Sequence, residues 1–118
     1  MAEISMEVAE DLISKLLNER IPIHALLRTS SGAEARISGF VDSKTALNGL
    51  VVSTSGPPLV AEKGYLKARP FDNECVVWYG EKRELPKNQQ HFADAYGESV
   101  ILIQFVQFNE TLVLQFTI

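Results

Sequence analysis

Leu16-Leu17-Asn18-Glu19-Arg20-Ile21-Pro22-Ile23-His24-Ala25-Leu26-Leu27 is the stretch on which the fold turns, because the period of its apolar residues changes inside it. Upstream, Ile4, Val8, Leu12, Ile13, Leu16 and Leu17 recur at helical spacing and form one stripe. Glu3, Glu7, Glu10 and Asp11 crowd the start, while Lys15 and Arg20 lie toward the end, an order that suits the helix dipole. Pro22 drives Ile21 out of the helical region, so the spacing predicts a helix over 4–20. Downstream the period is two. Ile23, Ala25 and Leu27 share one face of a strand, and His24, Leu26 and Arg28 share the other.

The same period continues outward. Ser30-Ser31-Gly32 is a turn, and Glu34 to Val41 alternates again with Ala35, Ile37, Gly39 and Val41 inward. Gly39 inside that strand predicts a bulge or sharp bend. Further strands are expected over Leu47 to Thr54, Tyr65 to Arg69, Cys75 to Tyr79, Val100 to Phe108 and Leu112 to Ile118. Asn109-Glu110 serves as the last hairpin turn. The polar segment between Gly80 and Gly97 is the one long gap, with a brief helix over 88–96 that Pro86 opens and Gly97 stops. Strands joined by short turns, without helices between them, predict an α+β chain rather than a parallel α/β one. The expectation is a single domain over 1–118: the N-terminal helix, then a strongly bent, mostly antiparallel small β-barrel over 23–118.

Composition fits that reading. The 118 residues are 46% apolar and 22% charged, enough to bury a core without disulfide or metal staples. Apolar runs such as Val100-Ile101-Leu102-Ile103 fall far short of the ~20 residues that span a bilayer, so no membrane partner is expected. The acidic Met1-Ala2-Glu3-Ile4-Ser5-Met6-Glu7 lacks the apolar core of a secretory signal. A lone cysteine, Cys75, excludes an internal disulfide framework and points to a reducing, cytoplasmic setting. The net charge of −4 means that any contact with phosphates has to be local.

With Ser31-Gly32 and Ile37-Ser38-Gly39-Phe40-Val41-Asp42 placed after it, the 16–27 stretch resembles the opening of Sm-like proteins, with the bacterial Hfq branch nearest. The likeness covers roughly the first half of the chain, and no second Sm motif follows Thr54. It implies a strongly bent five-stranded barrel that assembles into rings, hence a homo-oligomer, and that binds single-stranded RNA.

Few residues suggest catalysis. Cys75 with His24 or His91 would make a thiol–imidazole pair, but Cys75 opens Cys75-Val76-Val77-Trp78-Tyr79, a run that reads as a buried strand. The histidines and the cysteine lack zinc-site spacing, and Asp72 and Glu74 flank Asn73 as turn residues do. Ser53, Ser55 and Gly56 form no phosphate loop. The expectation is a non-catalytic protein without metal or cofactor.

One segment has a surface character of its own. Lys63 to Lys87 holds six basic residues against four acidic ones, a surplus of two. Alternation puts Tyr65, Lys67 and Arg69 on one face, a ring beside cations, as β-surfaces that hold single-stranded nucleic acid require. A mixed-charge solvated face, or lysines guarding an edge strand, is the plainer reading of the same residues. Val100 to Phe108 is apolar on both faces, so it needs two covers. The helix supplies one; a second subunit supplies the other, or the sheet closes on itself. The resulting expectation is a self-associating interaction domain that binds single-stranded RNA through Tyr65, Lys67 and Arg69. Its alternative is a small-molecule-binding domain or enzyme with a pocket between helix and sheet, lined by Trp78, Tyr79 and Tyr96.

Overall fold

The computed structural model describes residues 1–43, 51–53, 65–69, 74–85 and 97–117. The expected helix over 88–96 and most of the strand over 47–54 lie outside them.

The helix, α1 (Met6–Asn18), starts later and stops earlier than its apolar spacing predicts. Ser5 is extended and its Oγ accepts the Val8 N–H at 3.2 Å, which satisfies one orphan donor of the first turn. Ile4 therefore belongs to a strand, β1 (Ala2–Ile4), that the periodicity did not reveal. Without Ile4 the buried stripe is centred on Ala9, Ile13 and Leu16, and Val8 falls outside it at 47% exposed. At the far end the Ile21 N–H reaches Leu16 O at 3.1 Å and the Arg20 N–H reaches Leu17 O at 3.4 Å. This is a Schellman closure, with Arg20 left-handed at φ 48° and Ile21 packed into the same core as Leu16.

The strands are β2 (Ile23–Arg28), β3 (Glu34–Ser43), β4 (Val51–Ser53), β5 (Tyr65–Lys67), β6 (Cys75–Glu81), β7 (Ser99–Phe105) and β8 (Glu110–Phe116). Together with β1 they pair antiparallel in the order β1-β6-β7-β8-β2-β3-β4-β5. The α+β class and the antiparallel sheet led by a helix are as the sequence predicts. The sheet is open, however: it runs from β1 to β5, and among the described residues no ladder joins its ends into a barrel. Gly39 pairs in register with Ile23, and the irregularity comes later, between Val41 and Ser43. There β3 has left β2 and taken β4 as its partner, so the irregularity belongs to the change of neighbour rather than to the glycine.

Each strand of the central sheet is two-sided. Ile23, Ala25, Val77, Ile101, Ile103, Leu112, Leu114 and Phe116 pack with Ala9, Ile13 and Leu16 of α1. Leu26, Val100, Leu102 and Val113 form a second cluster on the opposite face with Leu85 and Trp78. Val100 through Ile103 are thus buried on both faces within one chain. The apolar character of β7 does not by itself call for a second copy. β7 also ends earlier than expected. Val106–Phe108 is a 3-10 turn closed by Asn109 at φ 51°, because a left-handed asparagine returns the chain where a continued strand would not. Among the described residues no helix is long and apolar enough to cross a membrane.

Candidate nucleic-acid interface

Antiparallel pairing carries side-chain alternation from strand to strand, so the faces of the sheet can be read in rows. On the face away from α1, His24 stands opposite Ser38, Leu26 opposite Arg36 and Arg28 opposite Glu34. One step further along β3, Phe40 pairs with Ser53, and Ser53 with Tyr65. After the bulge Ser43 pairs with Val51, and Val51 with Lys67. Along β3, Arg36, Ser38 and Phe40 therefore share a face that continues across β4 to the ladder positions of Tyr65 and Lys67.

Arg20 is held over this face. Its guanidinium carbon lies 4.6 Å from the centroid of the half-buried Phe40 ring, a cation–π distance. It reaches that position from the left-handed site at the end of α1, where glycine is the residue without steric penalty. Beside it the His24 Nδ1 and the Ser38 Oγ are 2.6 Å apart. Burial, and then the Arg36 guanidinium, hold the His24 pKa below its ordinary value of 6.5. Glu34 bridges Arg28 at 2.8 Å and Arg36 at 3.2 Å, so two arginines meet one glutamate here, while Arg20 lies further along β3 over Phe40. The acids of α1 lie elsewhere: Glu7, Glu10 and Asp11 are exposed on the helix, which covers the other side of the sheet. Among the described residues Arg28 and Arg36 thus lie across the sheet from the acids of α1, although Glu3 of β1, opposite Trp78, shares the outer face.

The three residues singled out in the sequence do not lie on one strand. β5 ends at Lys67, Ala68 is buried in the helix-side core, and Arg69 lies beyond it. Arg69 Nε donates to Glu110 at 2.9 Å, and its guanidinium sits 4.1 Å from the Phe108 ring centroid. It is thereby tied to the β7–β8 turn, beyond the end of β5. Arg20, Arg36 and Phe40 escaped the sequence reading, although a signal was there. An arginine two residues before Pro22 occupies a helix end that favours glycine, and Arg36 and Phe40 alternate with the inward residues of β3.

The other candidates separate. Cys75 is buried on the α1 side of the sheet and His24 lies on the opposite side, so the two make no thiol–imidazole pair; His91 lies outside the described residues. No group of three or more His, Cys, Asp or Glu side chains converges for a metal among the described residues, and Asp72 lies outside them. Trp78 packs in the outer cluster, whereas Tyr79 packs on the α1 side against Phe116, 6.5 Å between ring centroids. These two rings therefore cannot line one pocket, and Tyr96 lies outside the described residues. A depression of about 130 Å³ lies at the β7–β8 turn, between Gln104, Phe105, Val106, Asn109, Glu110 and Thr111. It is small beside the ~300 Å³ or more of a typical ligand pocket. No family model, curated protein or solved structure matches the chain.

Proposed function

We propose that this chain is a non-catalytic cytoplasmic module that binds single-stranded nucleic acid, RNA foremost, on the β3–β5 half of its outer face. The observation that carries the reading is Arg20, a non-glycine residue in the left-handed region whose guanidinium is laid over Phe40. A strained backbone at a helix end, where glycine would relieve it, points to a use for the side chain it carries. Here the side chain adds a cation and a planar group to a face that already carries Arg36 and Phe40. The rows of the sheet extend that face to the positions of Tyr65 and Lys67. Rings for bases and cations for phosphates are the parts such a surface needs.

Self-association belongs to the same reading through the Sm-like opening of the chain, which implies a ring. Since β7 is covered within one chain, a second copy would dock on the outer strands β1 or β5 or on the exposed Val106 and Phe108 of the hairpin turn. Light scattering should then give a mass above 13.1 kDa, and a single-chain mass at about 100 µM removes the ring. Binding itself is tested by fluorescence anisotropy with mixed-sequence RNA and DNA oligomers at low salt. Tyr65→Ala should cost about 1–3 kcal/mol, the usual worth of a stacked base. No binding at about 50 µM protein sinks the nucleic-acid reading, since nonspecific contacts alone reach that range.

A further inference from the structure

The His24–Ser38 pair joins directly opposed positions of β2 and β3 on the outer face, at 2.6 Å, and Ser38 is exposed. We infer that His24, Ser38 and Arg36 form a binding site for a phosphate group, switched on when His24 takes a proton.

A neutral imidazole can accept the Ser38 hydroxyl proton at Nδ1, which turns that proton inward. A protonated imidazole carries a hydrogen on Nδ1 and donates it to Ser38 Oγ. The hydroxyl hydrogen must then point away from the ring, where an anion at the surface receives it. The same proton adds a positive charge beside Arg36, two residues along β3 from Ser38. Of the charged groups on this face Arg36 acts directly on His24; Arg28 and Glu34 pair with each other four residues further along β2 and β3, Arg20 lies over Phe40 at the other side, and Gln115 opposite His24 on β8 is neutral. The excess is cationic, so the face opposes the proton and a bound dianion removes that opposition. Glu34 is the anion already present, and its pairs with Arg28 and Arg36 lie near solvent, where such pairs are weak and an incoming phosphate competes with them. Phosphate binding and His24 protonation thus promote each other, as linkage requires.

The phosphate belongs either to a nucleic-acid strand, in which case the inference deepens the function proposed above, or to a free anion. The site does not depend on that choice. The test is an NMR titration of the imidazole protons in the full chain, with the two histidines assigned by the spectrum of His24→Gln. It is run in sodium chloride, in inorganic phosphate at equal ionic strength, and with a single-stranded oligonucleotide. Phosphate should raise the His24 midpoint by about one unit, the effect of an opposite charge in contact. In Arg36→Gln the midpoint of the free protein should rise, and phosphate should no longer move it. A shift with both phosphate and oligonucleotide supports site and function together. A shift with phosphate but no oligonucleotide binding supports the site and removes the nucleic-acid reading. Oligonucleotide binding with a His24 midpoint that neither ligand moves overturns the inference and leaves that reading standing. An equal shift in chloride also overturns it, as screening alone.

Discussion

Leu114 and Val8 are both apolar residues on apolar stripes, and the structure gives them opposite weights. Leu114 is fully buried, paired with Ala25 on one side and Ile101 on the other, and packed on the α1 side of the sheet. Leu114→Ala should therefore cost roughly 2–5 kcal/mol in denaturant melts, the transfer loss plus the cavity. Val8→Ala, at an exposed site, should change stability by less than about half a kcal/mol. Equal losses at the two would mean that the buried face of the sheet is misassigned. His24 adds a pH dependence. The folded protein keeps the imidazole neutral below the ordinary 6.5, through burial and the nearby Arg36, while the unfolded chain titrates at that value. Stability is therefore fully present above 6.5 and falls as the pH drops from there through the folded-state pKa. His24→Gln should flatten that part of the profile of melting temperature against pH. Parallel profiles for the two proteins would show that His24 does not carry it.

At the scale of elements, local signals were legible and neighbours were not. The alternation of β2 and of the last strand reads directly from the residues, because each inward residue meets the same core. The ends of α1 did not follow from periodicity, since Ile4 fits the stripe as well as it fits β1. The β1–β6 pairing, Ile4 opposite Val77, decides between them from about seventy residues away. Arg20 is the instructive case. As a base in the last turn it suits the helix dipole, yet the Schellman closure puts it two residues past the helix, in the conformation that favours glycine. This gives a variant that separates folding from binding. Arg20→Gly relieves the left-handed strain and should hold or raise stability, by up to about 1 kcal/mol. The same change removes the cation over Phe40 and should weaken RNA binding by about five-fold or more, as losing a contact of about 1 kcal/mol does. A variant that unfolds more easily and binds equally well would place Arg20 in the fold rather than in the site.

At the scale of the molecule, the sequence could not show which strands meet, because pairing such as β2 with β8 joins the two ends of the chain and leaves no local trace. For the same reason the candidate face was only half visible: Tyr65 and Lys67 stood out by alternation, whereas their link to Phe40 runs through the short β4. Charge has the same property. The sum of −4 says nothing of the arginines gathered on the outer face or of Glu7, Glu10 and Asp11 exposed on α1. If nucleic acid binds the outer face, those acids repel it from across the sheet, and the repulsion acts only as far as salt allows. Screening lengths are about 30 Å at 0.01 M salt and about 8 Å at 0.15 M. Neutralising the helix acids together, as Glu7→Gln, Glu10→Gln and Asp11→Asn, should tighten RNA binding several-fold near 0.01 M and leave it unchanged near 0.15 M. Removing carboxylates near the helix N-terminus also loses part of their favourable dipole interaction, so melts must confirm that the variant is folded at the assay temperature. The slope of log affinity against log salt then becomes steeper, toward about −0.7 for each phosphate neutralised, as the opposing term disappears. An equal gain at both salt concentrations would mean that the strand touches the helix directly and that the outer face is not where it lies.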